Sequence, residues 1–109
     1  MSLNADILAA VTPIVPVCEP DYYGGEQETY CTFGYTEVPA NPGDNAPQAY
    51  RCLVDLHLFL PRGENSVALR RTLRRAITAV DAWTAPTITN ASDETGQHFV
   101  FEFEAIGEA

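Results

Sequence analysis

Residues 50–60 read YRCLVDLHLFL, and residues 97–106 read QHFVFEFEAI. In the first stretch Cys52, Val54, Leu56, Leu58 and Leu60 fall at every second position, with Arg51, Asp55 and His57 between them. Successive side chains of a β-strand point to opposite faces, so this alternation predicts a strand with one face in the core. The second stretch repeats the pattern, with Phe99, Phe101 and Phe103 alternating with His98, Val100, Glu102 and Glu104. A slip of one residue would turn every phenylalanine into water, so the register of this strand is strongly specified.

Working outward, Tyr30 to Val38 (YCTFGYTEV) is rich in aromatic and β-branched residues and alternates Cys31, Phe33 and Tyr35 against Thr32 and Thr36, which predicts another strand. Between it and the 50–60 strand, residues 39–49 carry prolines, a glycine and asparagines, an irregular loop longer than a hairpin requires. Such surplus is usually kept for contact, so this loop is expected to extend from the body and touch a neighbouring subunit or another component of the assembly it belongs to. After Pro61-Arg62-Gly63, Asn65 or Ser66 can cap a helix running to about Ala82, with Leu69, Leu73, Ala76, Ile77 and Val80 along one face. Pro86 to Thr89 predicts a short strand, and Asn90 to Gly96 a turn into the last strand. At the N-terminus, Ser2 or Asn4 can cap a brief helix built on Leu3, Ile7, Leu8 and Val11 and stopped by Pro13 and Pro16. Residues 19–29 (EPDYYGGEQET) read as a loop outside the sheet with an aromatic foothold.

The order helix, strand, strand, helix, strand, strand predicts an α+β domain: a mostly antiparallel four-stranded sheet with helices packed on one face. The opposite face would carry Asp55, His57, His98, Glu102 and Glu104 beside Leu53, Phe59 and Val100, a mixture suited to cover by water, a loop or a partner subunit.

A length of 109 residues allows one domain, spanning 1–109, with a modest core that self-association would reinforce. Hydrophobic residues make up 46% and charged residues 19%, the composition of a folding chain. Fifteen acids face six bases, all arginine, for a formal charge of −9. That balance argues against gripping nucleic acid, because phosphate binding depends on cations that displace counterions. Arginine without lysine suits interfaces, since the guanidinium makes forked contacts, and equally suits a codon-biased genome. Cys18, Cys31 and Cys52 are odd in number and lack CxxC spacing, which argues against a disulfide framework or zinc site. The first residues, MSLNADILAAVTPIV, lack a basic start and hold Asp6 and Pro13, so neither a signal peptide nor a membrane span is expected, and synthesis in a reducing cytoplasm is.

No catalytic residue, metal site or cofactor is expected. His57 with His98 and Asp55 with Glu102 could face each other across a ladder, but strand parity alone does not make ligands converge. None of Ser2, Ser66 and Ser92 sits in a strand-to-helix elbow, and Gly24-Gly25 lacks the spacing of a phosphate loop. The concentrated cationic feature is Arg70, Arg71, Arg74 and Arg75, two i, i+4 pairs on the helix side away from Leu69, Leu73 and Ile77. Either they form a solvated helix face or they meet acid from an identical neighbour, at the 19–28 loop or at Asp93 and Glu94.

The segments PDYYGGEQETYCTFGYTEVPANPGDNAP, YRCLVDLHLFLPRGEN and TITNASDETGQHFVFEFEAIG together resemble small tail proteins of long-tailed bacteriophages and prophages, the minor-tail or tail-terminator group. The resemblance runs from about Pro20 onward; its most specific pieces are the turn from Asn90 to His98 and the loop around Asp44, and the first 18 residues carry little of it. It implies a compact subunit, without enzymatic activity, that forms a hexameric ring in the virion tail. The ring would cap the tail tube, dock the head–tail connector and let DNA pass without specific binding. On this reading Arg70, Arg71, Arg74, Arg75, Asp93, Glu94, Asn41, Asp44 and Asn45 are the expected subunit-interface residues, with no membrane partner. A neck or head–tail adaptor is the alternative role, and a small ligand-binding or enzymatic domain a more distant one.

Overall fold

The two alternating stretches pair with each other along their whole length. A computed structural model of the chain describes residues 2–39 and 49–108. In it β3 (Ala49–Leu60) and β5 (Gln97–Glu108) run antiparallel in a register that sets Leu56 opposite Phe101 and Leu58 opposite Phe99. One face of this pair is closed: Val54, Leu56, Leu58, Phe99, Phe101 and Phe103 are all buried.

On the other side of β3 lies β2 (Tyr30–Pro39), antiparallel, with Cys31 and Phe33 added to the same buried face. β4 (Thr87–Asn90) pairs antiparallel with the outer edge of β5. The sheet has a fifth strand: β1 (Cys18–Pro20) pairs with β2 in parallel, giving the order β1-β2-β3-β5-β4. The fold is therefore α+β, but with a five-stranded mixed sheet in place of a four-stranded one, and Glu19 and Pro20 belong to the sheet and not to a loop outside it. Three residues are too few to show alternation, and Pro20 reads as a breaker. On an edge strand, proline costs no ladder bond, and the pairing is carried instead by Cys31 N–H donating to Val17 O and Asp21 N–H to Phe33 O.

Helices cover the buried face. Ser2 caps α1 (Leu3–Val11), its hydroxyl accepting from Ala5 N–H, and Ile7 and Val11 are buried. α2 (Val67–Thr78) buries Leu73 and Ile77 in the same core as Phe33, Leu56 and Phe101. The Asn65 carboxamide oxygen accepts from Val67 N–H, whereas the Ser66 hydroxyl accepts from Arg70 Nε. The helix stops at Thr78 and does not reach Ala82. Ala82 turns the chain with a left-handed φ of 70°, Trp83 bridges to Ala105, and Thr84 N–H donates to Glu104 O, so pairing along β5 draws this segment away from the helix axis. Strand ladders reach Pro39 and Ala49, one residue beyond each expected limit on that side. The loop between them, with Asn41, Asp44 and Asn45, lies outside the described residues.

Candidate functional site

Strand parity that buries one face of β2, β3 and β5 sends the intervening residues to the other face, which neither helix covers. Register then orders that face into rows running across the strands. One row is Tyr30, Phe59 and His98; the next is Thr32, His57, Val100 and Thr89; the next is Gly34, Asp55, Glu102 and Thr87; beyond it stand Thr36, Leu53 and Glu104.

The aromatic end is a continuous stack. Tyr23 lies 4.8 Å from Tyr30, Tyr30 4.7 Å from Phe59, and Phe59 4.3 Å from His98, all between ring centroids. Tyr23 is the foothold of the 19–29 loop: its hydroxyl also accepts from Gln27 N–H, while Tyr22 is exposed. His57 and His98 lie on adjacent strands one row apart, and His57 Nδ1 is 2.8 Å from His98 Nε2. One ring nitrogen donates and the other accepts, so the pair holds together with a single proton between those atoms. Burial, then the His57 charge, holds the His98 imidazole below its ordinary range, with Asp93 pulling the other way. An open cleft of about 450 Å³ runs beside this stack, lined by Glu28, Arg62, Asp93 and His98 among others.

Asp55 and Glu102 face each other directly in the ladder, as their positions in sequence suggest, and both are exposed. Like charges directly opposite across a sheet destabilise it. A third carboxylate joins them: Asp21, held just beyond β1, places Oδ1 3.7 Å from where a Cβ on Gly34 would stand. One row beyond this acidic row Leu53 is 41% exposed and two rows beyond it Ile106 is 52% exposed, and Arg51 pairs with Glu104 at 3.2 Å, the one ion pair among the described residues. No group of three or more His, Cys, Asp or Glu among the described residues is disposed to hold a metal ion. The cysteines are free and buried; burial and then Glu19 push the Cys18 thiol up to about 11, and burial raises Cys31 and Cys52 as well.

The arginines divide. Arg70 does not extend away from the core side: its guanidinium lies 4.4 Å from the centroid of the Phe99 ring, and its Nε donates to Ser66 Oγ. Position 70 is one turn before the buried Leu73 and one turn after buried Ser66, so its stem lies against the sheet. Arg71, Arg74 and Arg75 are exposed; Arg70, Arg71 and Arg74 together border a groove of about 280 Å³ shared with Val67 and Ile88 of β4, and Arg75 lies farther round the helix. At the 90–96 turn the Asp93 carboxylate accepts from both the N–H and the hydroxyl of Thr95, which holds its pKa low, and the Glu94 carbonyl accepts from Arg62. Both of these bonds fall on the Asp93 Oδ1 atom.

Sequence reasoning identified the acids and histidines of the open face but missed Asp21, because its position depends on the parallel strand before it. It also missed the Tyr30–Phe59 stack, for which the cross-strand register was the needed signal. No helix among the described residues is long and apolar enough to cross a membrane. No protein-family model matches the chain, and no curated protein shows significant similarity to it.

Proposed function

We propose that this chain is a structural subunit of a long-tailed phage virion, one that assembles as a hexameric ring on the tail tube, ends its growth and offers the docking surface for the head–tail connector. A tube built by stacking rings through head-to-tail contacts has no intrinsic stop. A cap must match the tube on one side and differ from it on the other. The observation that carries this reading is that each subunit bears two unlike and complementary surfaces, an acidic and apolar sheet face and an arginine-bearing helical layer, which suit head-to-tail joining of copies into a ring. Such a subunit makes heterologous contacts readily. The resemblance to tail-terminator proteins supports the same role. A formal charge of −9 per subunit suits a lumen through which DNA slides without sticking. Buried free thiols agree with synthesis in a bacterial cytoplasm before incorporation into the virion tail.

The test is genetic and visual. Deleting the gene from its phage or prophage and imaging the tails by negative-stain electron microscopy is expected to give headless tubes of uncontrolled length, restored by the gene supplied in trans. Headless tails of normal length would assign the protein to the neck instead. Complete virions would end the proposal.

A further inference from the structure

The sheet separates two unmatched charge patterns. On the helical side Arg71, Arg74 and Arg75 form one stripe at i, i+3 and i+4, exposed, with no ion-pair partner among the described residues. On the open side Asp21, Asp55 and Glu102 form a row across the strands, equally without one. Carboxylates on neighbouring strands are spaced by the strand separation, about 4.8 Å, and residues four apart on a helix have Cβ atoms about 5–6 Å apart. A helix laid across the strands therefore brings Arg71 and Arg75, one turn apart, over Asp55 of β3 and Glu102 of β5, while Asp21 stands farther along the row, beyond Gly34 of β2. Exposed Leu53, one row along, supplies apolar area for the helix to cover. Within one chain the two patterns cannot meet, because the hydrophobic core and the sheet lie between them.

We infer that the open sheet face of one copy receives the arginine-bearing side of α2 from the next copy, with Asp55 and Glu102 accepting forked guanidinium contacts from Arg71 and Arg75 and Asp21 adding negative charge at the end of the row. This inference rests on the ring reading and specifies its subunit contact. The contact joins two different surfaces, so it is heterologous and closes only as a ring. Arginine fits the role better than lysine would, because its planar fork meets carboxylates in pairs.

The experiment is charge exchange read by sedimentation velocity at low salt, with circular dichroism to verify folding. The unaltered chain is expected to associate. Asp55→Arg with Glu102→Arg, and separately Arg71→Glu with Arg75→Glu, should each weaken association by about tenfold or more. Mixing the two variants, or combining all four changes in one chain, should restore it, because each reversed helix then meets a reversed face. If the face-reversed chain does not fold, Asp55→Asn with Glu102→Gln keeps the shape, and a several-fold weakening is expected. Unchanged association of a folded face variant would overturn the inference and leave the ring reading standing, as would failure of the combined chain to recover. An unaltered chain that stays monomeric at every concentration would remove the ring reading and this contact with it.

Discussion

Replacing Glu102 with glutamine should stabilise the isolated subunit. Asp55 and Glu102 stand opposite each other in the β3–β5 ladder, both exposed, and no ion pair among the described residues offsets either charge. Opposed Cβ atoms in an antiparallel pair are about 5 Å apart, and splaying leaves the carboxylates roughly 6 Å apart. At that distance in a water-like dielectric the repulsion is about 0.7 kcal/mol, reduced to about 0.4 kcal/mol at 0.1 M salt and to about 0.1 kcal/mol at 1 M. Glutamine keeps the shape and removes the charge. Urea unfolding at protein concentrations where the chain is monomeric should show a gain of about 0.4 kcal/mol at 0.1 M salt, equivalent to about 2–3 °C in Tm, and almost none at 1 M. A salt-independent gain would have a cause other than charge. A loss of stability at low salt would refute the reasoning outright, showing that the two carboxylates do not repel in the folded subunit.

Acid should weaken the fold through His98. Its imidazole is held low by burial and the His57 charge, so the unfolded chain binds the proton first; the stability is whole above about pH 6.5 and falls as the pH drops through the native His98 value, and His98→Gln should flatten that part of a Tm-against-pH curve. Leu73→Ala removes a fully buried side chain from the contact of α2 with the sheet and should cost about 2–5 kcal/mol in chemical denaturation. Gly63, at φ +87°, should lose about 1 kcal/mol on change to alanine, whereas Gly34→Ala, whose new methyl meets Asp21 at an ordinary 3.7 Å, should not destabilise.

The strands that were legible in sequence are those whose two faces see different solvents. Cys52 to Leu60 and Phe99 to Phe103 alternate because every second residue is buried, and that pattern alone shows which of their side chains face the core, though not how the two strands pair. β1 left no such mark: with three residues, one buried, its place depends on backbone bonds to β2 and not on side-chain type. The end of α2 was misjudged for a related reason. Val80 continues the helical spacing, but pairing of the 82–84 segment with β5 outweighs that local preference. The acids, histidines and arginines of the candidate site were all visible, yet their grouping was not, because rows across a sheet join residues far apart in the chain.

That grouping explains why the monomer tolerates a poor arrangement of charge. A sheet face built only for its own stability would pair Asp55 with a cation, as Arg51 pairs with Glu104 two rows away. Here the register instead aligns acid with acid and leaves Leu53 in water one row along, while the only arginines with the right spacing stand behind the core. Each cost is small in one subunit, a few tenths of a kcal/mol. A second copy laid on the face offsets all of them together: arginine over carboxylate removes the like-charge contact, and α2 covers the exposed Leu53. Around a closed ring the same gain recurs at every junction. In the proposed ring, a surface slightly unfavourable in the free subunit and favourable only when covered would drive association, so relieving the Asp55–Glu102 repulsion by mutation should strengthen the monomer and weaken the ring at once.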